Sequence, residues 1–331
     1  SAIGCDYDFA VTNPEEYCES DPPVTMACYQ GGTGVGNTGT SIVSISYSNS
    51  GKPVAYGGSA VNPNQDAIIS DIGSVWGAAY EPDEKRLFIG ALIKRHIGLG
   101  PQGIGGVYVL DYSSGTAAIA TSFTLQGVSP ANGGAAIDLG SINRNAVVGA
   151  ITGDFDLSST PTQPSIDLDA YTKVGTTSYG DLALEEGGDT LWLVNLNQKA
   201  LIEVDVSGAS SSLPGTVNQY LFSALSGVPT CTGGSFRPFA IEFRDGQGYL
   251  GGVCDALSSQ DSADLFAYVL SFDPDNISAG FTTEISFPLN FQREFVFSTS
   301  PGATTLTNAI FASWRPWHSS DFFGSITPYL A

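Results

Sequence analysis

The stretch from Ile72 to Gln126 most constrains the fold, because it reads as four short strands joined by tight turns. Short apolar runs bounded by Gly, Pro, Asp and Ser predict strands. The first three runs are almost continuously apolar, whereas the last alternates, as expected when inner strands are covered on both faces and an outer strand is exposed. This gradient is typical of one blade of a β-propeller. The four predicted strands are 73–80, 87–93, 107–112 and 118–125.

The same pattern recurs twice, at 179–222 and at 236–289. TLWLVNL matches RLFIGAL, and ALIEVDV matches GVYVLDY. In this alignment of the two units, Leu182 corresponds to Trp76 and Leu184 corresponds to Ala78. A recurrent supersecondary unit predicts a repeat architecture. We therefore predict an all-β fold, a β-propeller of about five to seven four-stranded blades, with tandem β-sandwiches as the alternative.

The predicted domains are an irregular, disulfide-bearing N-terminal segment over 1–39 and a propeller over 40–331. The strand Thr40 to Tyr47 alternates, and we expect it to be an open edge that pairs with a second copy. A further strand is predicted at 306–314, close to the end of the chain. The sequence therefore does not establish whether the propeller ring closes.

The charge balance is strongly acidic, with 33 Asp and Glu against 12 Lys and Arg, a formal charge of −21. This excludes nucleic acids and anionic membrane surfaces as partners, since both need basic patches. An exported protein, bound Ca²⁺ or simply solvated acidic loops would all explain it. No apolar run reaches about 18 residues, which predicts no membrane insertion. The start lacks the pattern of a signal peptide, and we expect it to follow a processing site.

Five cysteines bear on the cellular location. The preferred disulfides are Cys18–Cys28 and Cys231–Cys254, with Cys5 free or paired outside the chain, although spacing does not fix connectivity. Disulfides indicate an oxidising, extracellular setting; isolated buried thiols are the alternative. Asn276-Ile277-Ser278 is the one N-glycosylation triplet, in a predicted turn.

Two groups of residues are candidates for ligand binding. Lys94, Arg95 and His96 form the densest basic cluster and would suit an acidic ligand, or they contact neighbouring carboxylates and a loop carbonyl instead. Trp314 and Trp317 belong to an aromatic-rich end that would stack on sugar rings, or form core.

Two Asp-x-Asp pairs are candidates for calcium, the only candidate cofactor. Oxygen ligands at alternate positions suit a Ca²⁺ loop, although neither pair continues with EF-hand spacing. The residues are Asp154, Asp156, Asp167 and Asp169.

Catalytic patterns are weak. His96 and His318 are the two histidines, and no GxSxG elbow nominates a serine. Paired carboxylates for glycoside hydrolysis remain open, because sequence spacing does not reveal their separation. The sequence therefore favours a non-catalytic protein.

Several stretches together carry a resemblance: VWGAAYEPDEKRLFIGALIKRHIGLGPQGIGGVYVLD, GDLALEEGGDTLWLVNLNQKALIEVDV, RPFAIEF, ASWRPW and the opening EEYCESDPPVTMACY. They resemble the N-terminal propeller-like region of large bacterial surface proteins of the Sdr-type B-domain-containing group. The resemblance implies a surface location and this architecture, and no particular chemistry.

The predicted function is a non-catalytic extracellular structural or adhesive module of a bacterial cell-surface or matrix protein, self-assembling with copies of itself or with other surface proteins. A carbohydrate- or calcium-dependent binding module is one alternative, with glycans as partners. A glycan hydrolase that uses carboxylates at the propeller's central opening is the other.

Overall fold

The computed structural model describes residues 21–49, 62–160, 163–296 and 310–313. Within these ranges nearly all regular structure is strand, in separate sheets. The strands are β1 Pro23–Ala27, β2 Thr40–Ser46, β3 Asn64–Ile68, β4 Val75–Glu81, β5 Arg86–Ala91, β6 Gly106–Asp111, β7 Ala118–Thr124, β8 Asn145–Val147, β9 Asp156–Ser158, β10 Tyr179–Leu184, β11 Thr190–Asn195, β12 Ala200–Asp205, β13 Val217–Leu221, β14 Phe236–Arg244, β15 Gln247–Cys254, β16 Phe266–Phe272, β17 Thr282–Pro288, β18 Gln292–Val296 and β19 Ile310–Ser313.

Helical structure in the described ranges is confined to short segments. Two are α-helices, Ile69–Ile72 and Leu168–Lys173. The others are single 3-10 turns at Tyr47–Asn49, Gly103–Gly105, Ser210–Ser212, Phe222–Ala224, Ser262–Asp264 and Pro274–Ala279. The all-β prediction is confirmed.

Three sheets are four-stranded antiparallel meanders, and they are the three units predicted from the sequence. Their strand orders are β4-β5-β6-β7, β10-β11-β12-β13 and β14-β15-β16-β17. The first strand of the middle sheet, β10, contacts the first strand of each neighbour, β4 and β14. Inner-edge strands that meet in succession are the arrangement of a β-propeller and not of tandem sandwiches. The number of blades stays a prediction.

The apolar runs are explained by burial on both faces of the inner strands. In β11, Leu191 and Leu193 pack towards Phe88 and Val109 of the preceding sheet. The intervening Trp192 and Val194 pack towards the following sheet, against residues that include Phe272. Because side chains alternate between faces, a strand covered on both sides reads as continuously apolar.

The predicted alignment of the first strands is shifted by two residues. Leu182 pairs with Leu193 in the same way that Ala78 pairs with Ile89, so Leu182 corresponds to Ala78. By the same register Leu184 corresponds to Tyr80 and not to Ala78. A two-residue slip keeps every side chain on its face, so alternation alone does not detect it.

Each inner strand has an irregular pairing near its start, where neighbouring sheets approach closely. The shifts lie between residues 75 and 78, 179 and 182, and 238 and 240. A Cβ added to Gly77 would lie 2.8 Å from the Leu182 nitrogen, and one added to Gly180 would lie 2.6 Å from the Phe239 oxygen. Glycine at these two bulges lets adjacent inner strands touch.

The N-terminal region departs from expectation in two ways. Residues 23–27 form a strand, β1, within the segment predicted to be irregular. The strand β2 pairs with β1 on one side and β3 on the other, so it is a central strand and not the open edge that was predicted. Both of its rows of backbone hydrogen-bonding groups face partners within this sheet, so strand addition there is excluded.

The Cys231–Cys254 disulfide is confirmed, with Cα atoms 5.4 Å apart. Cys28 forms no disulfide with another described residue, and its predicted partner Cys18 lies outside the described residues, as does Cys5, so the second predicted pairing stays a prediction. In the described part of the chain no helix is both long and apolar enough to cross a membrane.

Candidate ligand-binding groove

A polar groove of about 660 Å³ lies between the first sheet, β1-β2-β3, and two turns of the next sheet. One turn joins β4 to β5 and the other joins β6 to β7. The groove is therefore assembled from five separated pieces of chain. Its lining residues are Asp21, Pro23, Ser44, Ser46, Asn64, Gln65, Asp66, Tyr80, Lys85, Tyr112, Ser113, Ser114, Gly115, Thr116 and Ala117.

Asp66 holds a hydrogen-bond network that links the two sheets at the groove. Its Oδ1 accepts from the Ser44 hydroxyl at 3.0 Å, and its Oδ2 accepts from the Tyr112 hydroxyl at 2.7 Å. The Asn64 amide in turn donates to the Ser44 oxygen at 3.5 Å. Because each of these groups is fixed by a neighbour, the polar wall is ordered before any ligand arrives.

Tyr112 is held as a neutral donor. Burial raises the pKa of its hydroxyl, and the hydrogen bond to the Asp66 carboxylate raises it further. Tyr80, which lines the same groove, also raises the pKa of Tyr112. The Tyr112 hydroxyl therefore stays protonated and remains a donor through the neutral pH range.

Tyr80 supplies an aromatic surface at the same groove. Its side chain is 45% exposed, because β4 alternates and the flanking Glu81 is directed inward. The turn after β6 adds hydroxyl groups, with the Ser114 hydroxyl donating to the Thr116 carbonyl at 3.0 Å. A rigid aromatic face beside hydroxyl, amide and carboxylate groups suits a ligand with many hydroxyls.

The side chains of the predicted basic cluster contact other groups of the protein. The Lys94 ammonium lies 4.2 Å from the ring centroid of Tyr29 and 5.2 Å from that of Trp76, and burial lowers its pKa. Arg95 lies over Tyr171 at 4.8 Å, and its Nη2 donates to the Ile166 carbonyl at 3.4 Å. The contacts described for these two cations are thus aromatic rings and a backbone carbonyl, and not the carboxylates that were the alternative prediction.

His96 also has partners within the protein. Its backbone N–H donates to Asp167 Oδ2 at 2.6 Å, and its Nδ1 lies 2.7 Å from the Ser165 hydroxyl. Burial, with the positive charge of Arg95, lowers the pKa of the imidazole. The side chains of the cluster are therefore used in packing the loop after β5, and geometry gives no support for an acidic ligand there.

One carboxylate of the predicted calcium pairs, Asp167, is fully buried in an ion pair. It accepts from Arg144 at Nε, 2.9 Å, and at Nη2, 2.7 Å. Arg144 also donates to the carbonyl oxygens of Ile97 and Lys94. This pair fastens the segment 139–174 to the loop after β5.

Two of the other carboxylates, Asp156 and Asp169, also contact groups of the protein, whereas Asp154 is exposed. Asp156 accepts from the backbone of Thr152 and Gly153 at 3.0 and 2.8 Å, and these bonds lower its pKa. Asp169 contacts Lys173 at 3.0 Å. No cluster of three acidic, histidine or cysteine side chains is arranged for a metal within the described ranges. The calcium site therefore has no support from this geometry, and Trp314 and Trp317 lie outside the described residues.

A carboxylate that sequence reasoning missed lies on the inner strand β10. Asp181 accepts from the Leu182 backbone N–H at 3.0 Å, and it is half-buried. Burial, together with the negative charge of Glu242 on β14, raises its pKa to about 6. The signal available in the sequence was one acid within an otherwise apolar inner strand, YGDLAL.

The groove was missed for a different reason. Tyr80 and Tyr112 each lie at the end of a predicted strand, next to a turn, which is a usual place for binding residues. Nothing in the linear sequence indicates that Asp66, which follows a long loop, comes to the same place. The meeting of these three residues depends on how the first sheet packs against the second.

Comparison with known proteins gives distant relatives only. No protein-family model matches the chain. Colossin-A of Dictyostelium discoideum is 24% identical over 323 residues, which cover 95% of this chain and 2% of that protein. Colossin-D of the same organism is 23% identical over 319 residues, covering 93% of this chain and 30% of that protein. The chain thus spans less than a third of either relative.

Solved structures are similar only in a general way. A putative 6-phosphogluconolactonase from Bacteroides fragilis is 11% identical with a TM-score of 0.28, covering 85% of each chain. A periplasmic gluconolactonase from Pseudomonas aeruginosa is 13% identical with a TM-score of 0.26, covering 86% of this chain and 88% of the other. Scores this low do not carry an activity from one chain to another, and they leave the resemblance to bacterial surface proteins untested.

Proposed function

We propose that the chain is an exported adhesive module that binds a glycan in the polar groove. The observation that carries the proposal is the fixed network of Ser44, Asp66 and Tyr112 beside the exposed ring of Tyr80. Sugar recognition needs directed donors and acceptors together with an apolar face, and this groove offers both.

The negative charge of the chain and of the groove indicates which class of glycan would bind. The chain carries a formal charge of −21, and the groove has two carboxylates, Asp21 and Asp66, against one ammonium, Lys85. Repulsion of like charges disfavours sulfated or uronic-acid ligands. The proposed ligand is therefore a neutral oligosaccharide.

Export is proposed on separate grounds. The Cys231–Cys254 disulfide favours an oxidising compartment. Sparse basic charge is compatible with a protein that works outside the cell, where it would meet glycans of a neighbouring surface or matrix. Assembly with further copies of the chain or with other surface proteins remains part of the proposal, although not through β2.

The test is a screen of neutral and acidic oligosaccharides, followed by calorimetry on the best binder. Tyr80→Ala and Asp66→Asn are each expected to weaken binding by about tenfold or more, which corresponds to about 1.4 kcal/mol. Tyr249→Ala, on the third four-stranded sheet, is the matched control and is expected to bind like the wild type. Binding that is unchanged in both groove variants, or a preference for acidic glycans, would contradict the proposal.

A second candidate, a carboxylate-dependent glycan hydrolase, is favoured by Asp181 beside Glu242 at the inner edge of the sheets. A carboxyl group whose pKa is about 6 is suited to proton transfer near neutral pH. The assay is release of reducing ends from polysaccharides, and Asp181→Asn is expected to reduce the rate at least about a hundredfold. A wild-type protein that binds but never cleaves would remove this candidate.

A further inference from the structure

The turn between β16 and β17 contains a candidate modification site that is separate from the groove. It holds Asn276-Ile277-Ser278, the one Asn-x-Ser/Thr triplet of the sequence. Asn276 and Ser278 are exposed, whereas Ile277 between them is 4% exposed and belongs to the core shared by the second and third four-stranded sheets. The buried side chain anchors the turn, and the two polar side chains are presented outward.

The local geometry leaves the asparagine amide nitrogen accessible. The Ser278 hydroxyl donates to Asn276 Oδ1 at 2.8 Å. Asn276 has φ −144° and ψ 54°, which interrupts the helical turn, and its backbone N–H donates to the Asp273 carbonyl at 3.2 Å. Among the described residues no hydrogen bond is made by its Nδ2, so this group is available for reaction.

Other contacts that hold the turn do not involve the Asn276 side chain. The Asp273 side chain accepts from the Asp275 backbone N–H at 3.0 Å, and the Gly280 N–H donates to the Ile277 carbonyl at 3.0 Å. A substituent on the Asn276 side chain would therefore project into solvent without breaking these contacts.

We propose that Asn276 is an N-glycosylation site. The donor is a lipid-linked oligosaccharide pyrophosphate. A bond forms between Nδ2 of Asn276 and the anomeric carbon of the sugar, and the bond from that carbon to the pyrophosphate oxygen breaks. The lipid pyrophosphate leaves with the electron pair, and the proton lost from Nδ2 passes to a base of the transferase.

Two further observations agree with the site. The Cys231–Cys254 disulfide lies in the same part of the chain, and the compartment in which disulfides form is also where such triplets are modified. The turn lies on the third four-stranded sheet, whereas the groove lies between the first sheet and β4-β5-β6-β7. The glycan would leave the groove open, so the two proposals can fail independently.

The test is secretion of the chain from a eukaryotic host, with intact-mass measurement and peptide mapping before and after treatment with an N-glycosidase. The expected result is an added oligosaccharide that the enzyme removes, leaving aspartate in place of Asn276. Asn276→Gln and Ser278→Ala are expected to lose the glycan and Ser278→Thr to keep it. Asn290→Gln, an exposed asparagine outside any triplet, is the matched control and keeps it.

Peptide mapping of the wild-type protein makes the test independent of how the variants fold. Secreted protein that contains the Cys231–Cys254 disulfide and an unmodified Asn276 would overturn the proposal. Modification that persists in Asn276→Gln would overturn it as well, because the sugar would then lie elsewhere.

Discussion

The sheet β10-β11-β12-β13 and the connecting segment 139–174 are held together by different means. In the sheet, consecutive residues pair along the β11-β12 and β12-β13 ladders, and the apolar side chains pack into two cores. The described residues of the connection form two three-residue strands, β8 and β9, and one short helix, and polar side chains there bond to backbone groups. Stability in the sheet is shared among many contacts, whereas in the connection it is concentrated at the Arg144–Asp167 pair.

This difference also explains the loop that carries Lys94, Arg95 and His96. It has no ladder of its own over these residues, and it is fixed by Arg144 and Asp167 from the connecting segment. Polar contacts with the connecting segment thus hold this loop in place, whereas apolar packing holds the sheets together. The comparison predicts that single changes act locally in the connection and globally in the sheets.

The largest effect is expected for Asp167→Ala. It leaves the nearly buried Arg144 guanidinium without its counter-charge, a loss of about 3–5 kcal/mol. Hydrogen exchange is expected to show this loss in the opening of 139–174 and of the loop after β5, before the sheets respond. Asp169→Ala, which removes a half-exposed pair with Lys173, is the control, with an expected loss below about 1 kcal/mol. Equal losses in the two variants would contradict this assignment.

Leu193→Ala is expected to cost about 3 kcal/mol in the free energy of global unfolding. The side chain is fully buried between two sheets, and its removal leaves a cavity in addition to the lost apolar contact. Denaturant titration measures this loss, and exchange should rise across the sheets together. Ile119→Ala, on the outer strand β7 and 40% exposed, is the control and is expected to cost much less. A response confined to β11 would show that the sheets do not unfold as a unit.

Asp181→Asn is expected to raise the free energy of unfolding at pH 8 by about 3 kcal/mol relative to the wild type, because the variant has no carboxyl group to ionise there. The folded-state pKa of Asp181, about 6, lies above its ordinary value of 3.8. The folded state therefore binds the proton more tightly, so this group lowers stability as pH rises from about 4 to about 6, and the cost stays constant above that. The variant should be more stable than the wild type at pH 8 and similar to it near pH 4, measured by thermal unfolding. A constant difference at all pH values would show that burial of Asp181 is not the cause.

The smallest effect is expected for calcium. Asp156, Asp167 and Asp169 already bond to groups of the protein, so adding Ca²⁺ or a chelator should shift the melting temperature by less than about 1 °C. An identical titration of Asp156→Asn is the control. A large stabilisation by Ca²⁺ that is lost in the variant would restore the predicted metal site.

The strands of the sheets could be predicted from the sequence because their signals are local. RLFIGAL and TLWLVNL are continuously apolar because both faces are covered, and turn residues mark their ends. The Cys231–Cys254 pair followed from its position across two predicted strands. By contrast, the predicted alignment of the first strands was wrong by two residues, since a two-residue slip keeps every side chain on its face and alternation does not reveal it.

The candidate groove could not be predicted, because its members are neighbours only after the sheets pack. Asp66, Tyr80 and Tyr112 are separated in sequence and share no motif. The basic cluster was prominent for the opposite reason: three charged or polar residues in succession attract attention whatever they contact. The contacts of the cluster include Tyr29, Trp76 and Asp167, which come from distant segments and could not be identified from the sequence.

The most direct test of the central claim is hydrogen exchange of the protein with and without the neutral oligosaccharide that binds best in the screen. Binding in the groove predicts protection in peptides that contain Asp66, Tyr80–Lys85 and Tyr112–Ala117, with the segment 139–174 unchanged. Protection centred on Trp314 and Trp317, or on the inner strands around Asp181, would contradict the groove as the binding site.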